Sequence, residues 1–436
     1  MKRVIFFTLA VAIAMSAAAR KNVNPLRGEF KAHPTLAANN YRAYPDTLLP
    51  TLTPAPDGFT PFFINHYGRH GSRWLIDGGE YTRPLAVLEQ ARREGVLTPR
   101  GERLLTAVKR AAQGSENRLG ELSDIGAEQH RGIAERMVAN FPEVFAAGAT
   151  VRARSTTVRR CILSMQNEVD RIAALCPDLP ITTDASKAEM YYMNYSDPVV
   201  KPLRKLGREK ADLNRYKTRL VRPDAMRKKL FGNTRWQPDS VDMVEIMLDL
   251  VDVVGNMQSH HAFDDINEYD IFGDEALYDA WRYNNIRWYI LSGNNPYTSG
   301  RVPYMEANLL RNIITDADNA IEHGHTGASL RFGHESVVLP LVCLMDINDM
   351  GYSSDDLDTL DEHWASCKVF PMAANLQFVY YHNAEGEVLV KVLLNEHEAT
   401  LPLTAVTGPY YRWHEVRDLY LNRIADVPIA PAGSIE

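Results

Sequence analysis

The chain has 436 residues, of which 45% are hydrophobic and 24% are charged, and its formal net charge is −7. This composition is typical of a globular protein with a sizeable core, and it excludes a disordered chain, a low-complexity chain and a repeat protein. The length allows one large domain with a subdomain, or two domains.

The first 19 residues have the pattern of a secretory signal. Two basic residues precede the apolar run 4–14, and small residues occupy positions 17–19. Cleavage near Ala19 would give a mature chain that begins near Arg20. No later segment has the ~18 consecutive apolar residues of a membrane helix. The sequence therefore predicts an exported protein, periplasmic or secreted, without a membrane partner.

Cysteine and histidine spacing gives no sign of a metal. Neither CxxC nor HExxH occurs, and the pairs His323/His325 and His260/His261 lack a third ligand. We therefore expect no metal and no other cofactor. Export permits disulfides, and three pairings or four free buried thiols stay open. The cysteines are Cys161, Cys176, Cys343 and Cys367.

The strongest chemical signal is Tyr67–Arg73, with the sequence Tyr-Gly-Arg-His-Gly-Ser-Arg, which follows the apolar run 61–64. The guanidinium groups of Arg69 and Arg73 match the geometry of a phosphate. Neutral imidazole can attack phosphorus and form a covalent intermediate, so His70 is a candidate nucleophile. The alternative is a loop whose arginines form ordinary salt bridges.

A second strand-to-helix pattern spans Thr150–Arg159. If this strand lies beside the first one, Arg154 falls at its end and supplies a third cation to the phosphate. Arg159 lies about one and a half helical turns further along. We expect Arg159 to reach the periphery of the substrate or to form a salt bridge.

A third such pattern runs from Ser329–Gly333 into His334, Glu335 and a helix. When the phosphorus–oxygen bond breaks, the leaving alkoxide needs a proton, and a carboxylic acid with a raised pKa can donate it. Glu335 is the candidate donor, and later the base that activates water. His334, if charged, would donate a hydrogen bond to the phosphoryl oxygens. The alternative is a helix cap.

One region opposes the acidic balance of the chain. Between Arg204 and Lys229 there are eleven basic and three acidic residues. Such a run is either a solvated surface or a positive wall that attracts an anionic substrate. Nucleic acid is a weaker interpretation because few aromatic residues are interleaved. The residues of this run placed at the possible substrate periphery are Arg204, Lys205 and Arg208.

In this order, the three segments resemble the histidine acid phosphatases, the second clade of the histidine phosphatase superfamily. The similarity is strongest in Arg69–Arg73, Arg154–Thr156 and 332–341. It is weaker at Leu122, Ser123, Gly126 and Gln129. Within the family, the chain is most similar to exported bacterial relatives of multiple inositol polyphosphate phosphatases.

The resemblance implies roles for individual residues. His70 would be the nucleophile, and Glu335 would hold the position of the proton donor. The implied phosphate pocket consists of Arg69, Arg73, Arg154 and His334. The family also implies an acidic optimum, no metal, and an α/β core with a mostly helical cap.

The third segment departs from the family pattern. Acid phosphatases and many phytases carry His-Asp there, and inositol polyphosphate phosphatases carry His-Ala-Glu, whereas this chain has His334-Glu335-Ser336. Glutamate therefore occupies the aspartate position. Its extra methylene moves the carboxyl group by about one bond length, so activity is either retained with altered geometry or reduced.

The predicted fold is α/β, with a three-layer core in which a central, mostly parallel sheet is flanked by helices. Residues 24–185 and 318–436 are expected to form this core, and residues 186–317 a mostly α-helical cap. Late strands at 376–381 and 388–394 should form a hairpin.

The sequence thus predicts an exported phosphomonoesterase that acts through a phosphohistidine. Its expected substrate is a small polyanionic molecule such as an inositol polyphosphate, at acidic to neutral pH. The alternatives are a broad-specificity sugar or nucleotide acid phosphatase, and a phosphate-ester binding protein with impaired catalysis. The sequence leaves the oligomeric state open.

Overall fold

The computed structural model describes residues 24–44, 49–194, 198, 200–203 and 207–428. The predicted signal segment lies outside these residues, as do Arg204 and Lys205. Within the described part of the chain, no helix is long and apolar enough to cross a membrane. The α-helices are α1 (Pro25–Ala32), α2 (Gly79–Arg93), α3 (Pro99–Gly114), α4 (Asp124–Asn140), α5 (Arg159–Leu175), α6 (Met190–Met193), α7 (Val200–Leu203), α8 (Gly207–Leu220), α9 (Asp224–Leu230), α10 (Met243–Met257), α11 (Asp274–Ser292), α12 (Ala307–Glu322), α13 (Glu335–Met345) and α14 (Trp413–Arg423).

The strands of the described residues form one mixed sheet. They are β1 (Thr60–Arg69), β2 (Thr150–Ser155), β3 (Ile181–Asp184), β4 (Gly327–Gly333), β5 (Asn375–His382), β6 (Val388–Leu394), β7 (His397–Glu398) and β8 (Tyr410–Arg412). The order across the sheet is β3-β2-β4-β1-β5-β6-β7, and β8 also pairs with β6. Strands β3, β2, β4 and β1 are parallel, whereas β5 to β8 each pair antiparallel with a neighbour. The predicted α/β class is confirmed.

Helices cover both faces of the sheet, as the three-layer prediction requires. Side chains of a strand alternate between its faces, and in β1 Ile64 packs with Ile133 of α4 and Ile172 of α5. Tyr67 belongs to the opposite cluster, with Ile313 of α12. Strand β4 is buried throughout, and β1 from its third residue on, as expected for central strands covered on both sides.

A separate apolar cluster joins helices that do not lie on the sheet. The described residues of 186–317 contain helices and no strand. Helices α2 and α3 pack with them, so residues 79–114 also contribute to the helical body. Representative members of this cluster are Leu88, Leu104, Met226, Met247 and Trp281. The predicted division of the chain into core and cap residues stays a prediction.

The late hairpin is confirmed. Strands β5 and β6 pair antiparallel, with Tyr380 opposite Val390. Gly386 in the connecting turn has a φ of 83°, a left-handed conformation that favours glycine because it lacks a Cβ atom.

The strand that carries Arg154 does not lie beside the strand that leads to His70, although the predicted role of Arg154 required this. β4 lies between β1 and β2, so the strand that carries Arg154 is two positions away from the strand that leads to His70. The order of strands in a sheet depends on long crossover connections. The local pattern around Arg154 carries no information about that order.

The cysteines form no disulfide. All four are free thiols, which is one of the alternatives that the sequence left open. Burial raises the pKa of Cys161, Cys343 and Cys367 to about 12. Because the thiolate is the reactive form, these three buried thiols are unreactive at physiological pH.

Candidate active site

The first and third segments meet where two parallel strands end side by side. Arg69 at the end of β1 lies opposite Gly333 at the end of β4, and the backbone nitrogen of His70 donates a hydrogen bond to the carbonyl of Gly333 at 2.9 Å. The rings of His70 and His334 therefore lie close together, with centroids 5.9 Å apart. Ligands of open α/β sheets bind at this edge.

The turn after His70 is closely packed against α4 and α5. A Cβ atom on Gly71 would lie 2.3 Å from the carbonyl oxygen of Gly126. The nitrogen of Gly71 donates to the hydroxyl of Ser164 at 3.1 Å, and the nitrogen of Ser72 donates to Oε1 of Gln129 at 2.9 Å. Gly126 and Gln129, which belong to the weaker similarity in the sequence, thus position the turn that carries His70.

This contact makes Gly71→Ala a test of the turn. The added methyl group cannot be accommodated without backbone movement, so we expect a loss of about 1–3 kcal/mol in the free energy of unfolding and a parallel loss of activity. Urea unfolding measures the first quantity. Gly28→Ala in α1 is the control, because nothing lies within 4 Å of its Cβ position. Equal unfolding midpoints for the two variants would contradict the prediction.

His70 presents one unoccupied nitrogen. Its Nδ1 lies 2.9 Å from the carbonyl oxygen of Gly71, and because a carbonyl only accepts, Nδ1 carries the proton and Nε2 holds a lone pair. Nε2 is buried and has no hydrogen-bond partner among the described residues. Burial and the neighbouring arginines lower the pKa of His70 well below its usual value. The imidazole is therefore neutral and its Nε2 is free to attack an electrophile.

Arg69 links the nucleophile to a carboxylate. Its Nη1 donates to the backbone carbonyls of Asn40 and Phe370 at 2.6 and 2.7 Å, and its Nε donates to Oε2 of Glu335 at 3.1 Å. The same carboxylate oxygen lies 3.6 Å from Nε2 of His70. Nη2 of Arg69 has no partner in the described part of the chain, so Arg69 retains a donor for a bound anion.

Glu335 is ionised in this arrangement. Burial alone would raise its pKa, but the charge of Arg69, together with His70 and Arg73, lowers the pKa well below its usual value. The raised pKa expected from the sequence is therefore wrong for the site without substrate. Its physical cause is the ion pair with Arg69, which the sequence does not reveal.

Two further arginines complete the cluster, and one of them was missed. Arg73 is buried over the ring of Tyr41, 5.4 Å from its centroid, and its Nη1 donates to the carbonyl of Trp74 at 2.8 Å. Arg160 is the second residue of α5. Burial and the charge of Arg73 lower the pKa of Arg160, and its charge also acts on His334. The only signal in the sequence was the pair of adjacent arginines at a helix start.

Arg154 lies elsewhere, and its predicted contact with the phosphate is corrected. Its guanidinium donates to Asp316 and to the hydroxyl of Tyr192, both at 2.7 Å, and to the hydroxyl of Ser329. In the sheet, Arg154 is opposite Arg331, two residues before the end of β4. These contacts tie β2 and β4 to α12 and occupy the side chain that we expected at the phosphate.

Arg159 forms a salt bridge, which is the second of its two predicted environments. Its side chain is exposed, and Nη1 lies 3.0 Å from Oε1 of Glu121. Arg208 lies in α8, but its side chain is outside the described residues. Four other members of the basic run are paired with carboxylates. These pairs are Arg215–Asp212, Lys217–Glu245, Arg219–Asp358 and Arg222–Asp279.

His334 closes the site on the side of β4. Its Nε2 lies 3.2 Å from the hydroxyl of Thr156, and burial lowers its pKa to about 4. It is therefore neutral near pH 7 in the absence of a bound anion. The ligand atoms of His70, His334 and Glu335 lie within 4.8 Å of one another, a spacing that could hold a metal ion. The surrounding arginines oppose a cation there and favour an anion.

A neutral histidine with a free nitrogen, set among buried arginines at the carboxyl ends of parallel strands, combines an anion site with a nucleophile. On this fold, the combination defines a phosphomonoesterase of the histidine type. Residues 69–395 match the model of the histidine phosphatase superfamily (branch 2). The chain belongs to this family.

Solved structures with the same fold are only distantly similar in sequence. The multiple inositol polyphosphate phosphatase of Bifidobacterium longum, in complex with phosphate, is 17% identical with a TM-score of 0.67, and the match covers 88% of this chain and 98% of that one. The phytase from D. castellii is 13% identical with a TM-score of 0.66, covering 91% of this chain and 86% of that one. No curated protein sequence is significantly similar to the chain.

Proposed function

We propose that the protein is an exported phosphomonoesterase that hydrolyses phosphate esters through a phosphohistidine formed at Nε2 of His70. The observation that carries the proposal is the unprotonated, buried Nε2, which has no hydrogen-bond partner among the described residues and lies 3.6 Å from the carboxylate of Glu335 that Arg69 binds. Export is supported by the signal pattern of the first 19 residues.

The arginines supply what a phosphate dianion needs. Nη2 of Arg69, Nε of Arg73 and Nε of Arg160 are buried and lack hydrogen-bond partners in the described part of the chain. Donors of this kind can hold the non-bridging oxygens and spread their charge in the transition state. In the proposed reaction, Nε2 of His70 attacks phosphorus, the ester bond breaks, and the leaving alkoxide takes a proton.

Glu335 is the proposed source of that proton, and the substrate itself prepares it. A phosphate bound to Arg69 replaces the carboxylate of Glu335 and places negative charge beside it, and both changes raise the pKa of Glu335. The protonated acid then donates to the leaving oxygen. In the second step the carboxylate accepts a proton from the water that attacks the phosphohistidine, which releases inorganic phosphate and restores His70.

Glu335→Gln tests this role. The amide neither donates the proton nor competes for Arg69 as an anion, so we expect kcat on an alkyl phosphate to fall about 10²- to 10⁴-fold. Formation of the phosphoenzyme from p-nitrophenyl phosphate, whose leaving group needs no proton, should fall less. Inorganic phosphate should inhibit the variant more strongly. Glu121→Gln, at an exposed salt bridge, is the control. An unchanged kcat together with weaker phosphate inhibition in Glu335→Gln would contradict the role of Glu335 as proton donor.

The proposed substrates are inositol polyphosphates such as phytate, at acidic to neutral pH. Two neighbours of the fold are named a multiple inositol polyphosphate phosphatase and a phytase. The lowered pKa of His70 keeps its nitrogen unprotonated in acid. A phosphate-release assay between about pH 4 and 7 on phytate and p-nitrophenyl phosphate tests the proposal, and no release from either substrate by folded protein would contradict it.

One observation favours a second candidate, a general phosphatase for sugar or nucleotide monophosphates. The described basic side chains at 215–222 are paired with carboxylates, so they attract a polyanion weakly. This candidate predicts hydrolysis of p-nitrophenyl phosphate without hydrolysis of phytate. If the protein only binds phosphate esters, it should bind phosphate tightly and release no phosphate from either substrate.

A further inference from the structure

Helices α2 and α10 are joined side by side next to the turn that carries His70. Nε and Nη2 of Arg83 in α2 donate to the two carboxylate oxygens of Asp249 in α10, at 2.8 and 2.7 Å. The hydroxyl of Tyr81 donates to Oδ1 of Asn256 at 3.2 Å. The earlier residue of α2 thus contacts the later residue of α10, so the two helices are antiparallel.

This pairing brings two carboxyl groups together. Glu80 lies three residues before Arg83, and Asp252 lies three residues after Asp249, so in antiparallel helices they are neighbours on the same side. Asn256, one turn beyond Asp252, donates from Nδ2 to the backbone carbonyl of Arg73 at 2.8 Å. Glu80 and Asp252 therefore stand beside the arginine that we assign to the phosphate.

The electrostatics of the two groups agree with this placement. Burial and the nearby aspartates raise the pKa of Glu80 to about 7, and burial followed by the charge of Glu80 raises the pKa of Asp252 well above its usual value. Oε2 of Glu80 is buried without a partner among the described residues. The titratable and charged groups that face the pair are Tyr41, Arg73, Asp77, Arg83, Asp249 and Arg287.

The exposure of the side chains differs between the centre of the cluster and its edge. Arg69, His70 and Arg73 are buried. Charged residues near them that keep partial exposure include Glu80, Arg160, Asp252 and Glu335. These four side chains lie between the buried cluster and solvent, and those contributed by α2 and α10, Glu80 and Asp252, are acidic.

We propose that Glu80 and Asp252 form an acidic wall that determines which group of the substrate lies next to the scissile phosphate. On this side the site accepts a hydroxyl group, which can bond to a carboxyl oxygen, or a cationic group. It disfavours a second phosphate whenever the wall is charged. While the wall is charged, the preferred substrate is thus a phosphate monoester flanked by hydroxyl groups, and the inference rests on the proposed function because the wall acts on an ester bound at His70.

A pH dependence follows from the sign of the charge. Below about pH 7 Glu80 is protonated and neutral, so a neighbouring phosphate is tolerated. Above that pH the wall becomes anionic and repels it. The ratio of kcat/KM on phytate to kcat/KM on p-nitrophenyl phosphate should therefore fall as the pH rises through 7.

The test compares this ratio in wild-type protein and in a variant with Glu80→Gln and Asp252→Asn. At pH 8 we expect the ratio to rise at least about 5-fold in the variant, as expected when like-charge repulsion is removed, and its fall across pH 7 to disappear. Phytate itself titrates in the same way with the wild-type protein and with the variant. A difference between their ratios is therefore due to Glu80 and Asp252. Glu89→Gln is the matched control on α2, since Glu89 is partly exposed and pairs with Lys109, and its ratio should equal the wild-type ratio.

The outcomes separate the two levels of the proposal. An unaltered ratio at pH 8, with p-nitrophenyl phosphate still hydrolysed by the wild-type protein, overturns the wall alone. No hydrolysis of either substrate by the wild-type protein overturns the wall and the proposed function together. If the double variant does not fold, each single substitution is measured, and a ratio unaffected by both of them overturns the wall.

Discussion

Replacing His70 by alanine should lower kcat at least about 10³-fold, which is equivalent to about 4 kcal/mol of transition-state stabilisation. In the proposed mechanism Nε2 forms the covalent bond to phosphorus, and alanine offers no nucleophile in its place. The wild-type protein, quenched during turnover, should carry an acid-labile phosphoryl group, and the variant should carry none. Phosphate release and trapping of the phosphoenzyme measure the two effects.

His414→Ala is the control for this experiment, because His414 is an exposed histidine of α14. Circular dichroism and the thermal midpoint establish that both variants are folded. A His70→Ala protein that keeps more than about a tenth of the wild-type kcat would show that another group attacks phosphorus.

Arg160→Ala should mainly lower activity, whereas Arg154→Ala should mainly lower stability. Arg160 lies beside Arg73 and Glu335, so its loss should lower kcat/KM about 10²-fold or more, as for the removal of one preorganised donor, with little change in stability. Arg154 is buried against Asp316. Its loss breaks a buried ion pair and should reduce the free energy of unfolding by about 3 kcal/mol.

Urea unfolding and steady-state kinetics on p-nitrophenyl phosphate measure both quantities for both variants. Each variant is the control for the other, since both lose an arginine side chain, one from β2 and one from α5. The reverse pattern, with a stable but inactive Arg154→Ala and a destabilised but active Arg160→Ala, would restore the assignment made from the sequence.

The sequence contained enough to predict the first strand, the turn and the hairpin. An apolar run that ends in Arg-His-Gly requires a buried strand and a sharp turn, and these properties are local. The apolar runs at 376–381 and 388–394 are local as well, and they became β5 and β6. The meeting of His70 with His334 followed from both residues ending parallel strands.

The third arginine could not be predicted in the same way. Arg154 precedes the end of a strand that β4 separates from β1, and strand order is not written in the local pattern. Arg159 and Arg160 are adjacent at the start of α5, about 100° apart around the helix axis. Which of them faces the site depends on how α5 packs on the sheet. The charge of Glu335 likewise depends on Arg69, which is 266 residues away in the chain.

The main-chain oxygen of Asn40 that receives Arg69 lies well before residue 69, where the match to the family begins. A recombinant fragment cut to the matched residues 69–395 would lose this acceptor. It would also lack nearly all of β1, which begins at Thr60, and the whole of α14. The guanidinium would then be held only by Phe370 and Glu335, so expression designs for this protein should retain the upstream segment 24–44 and carry affinity tags beyond it.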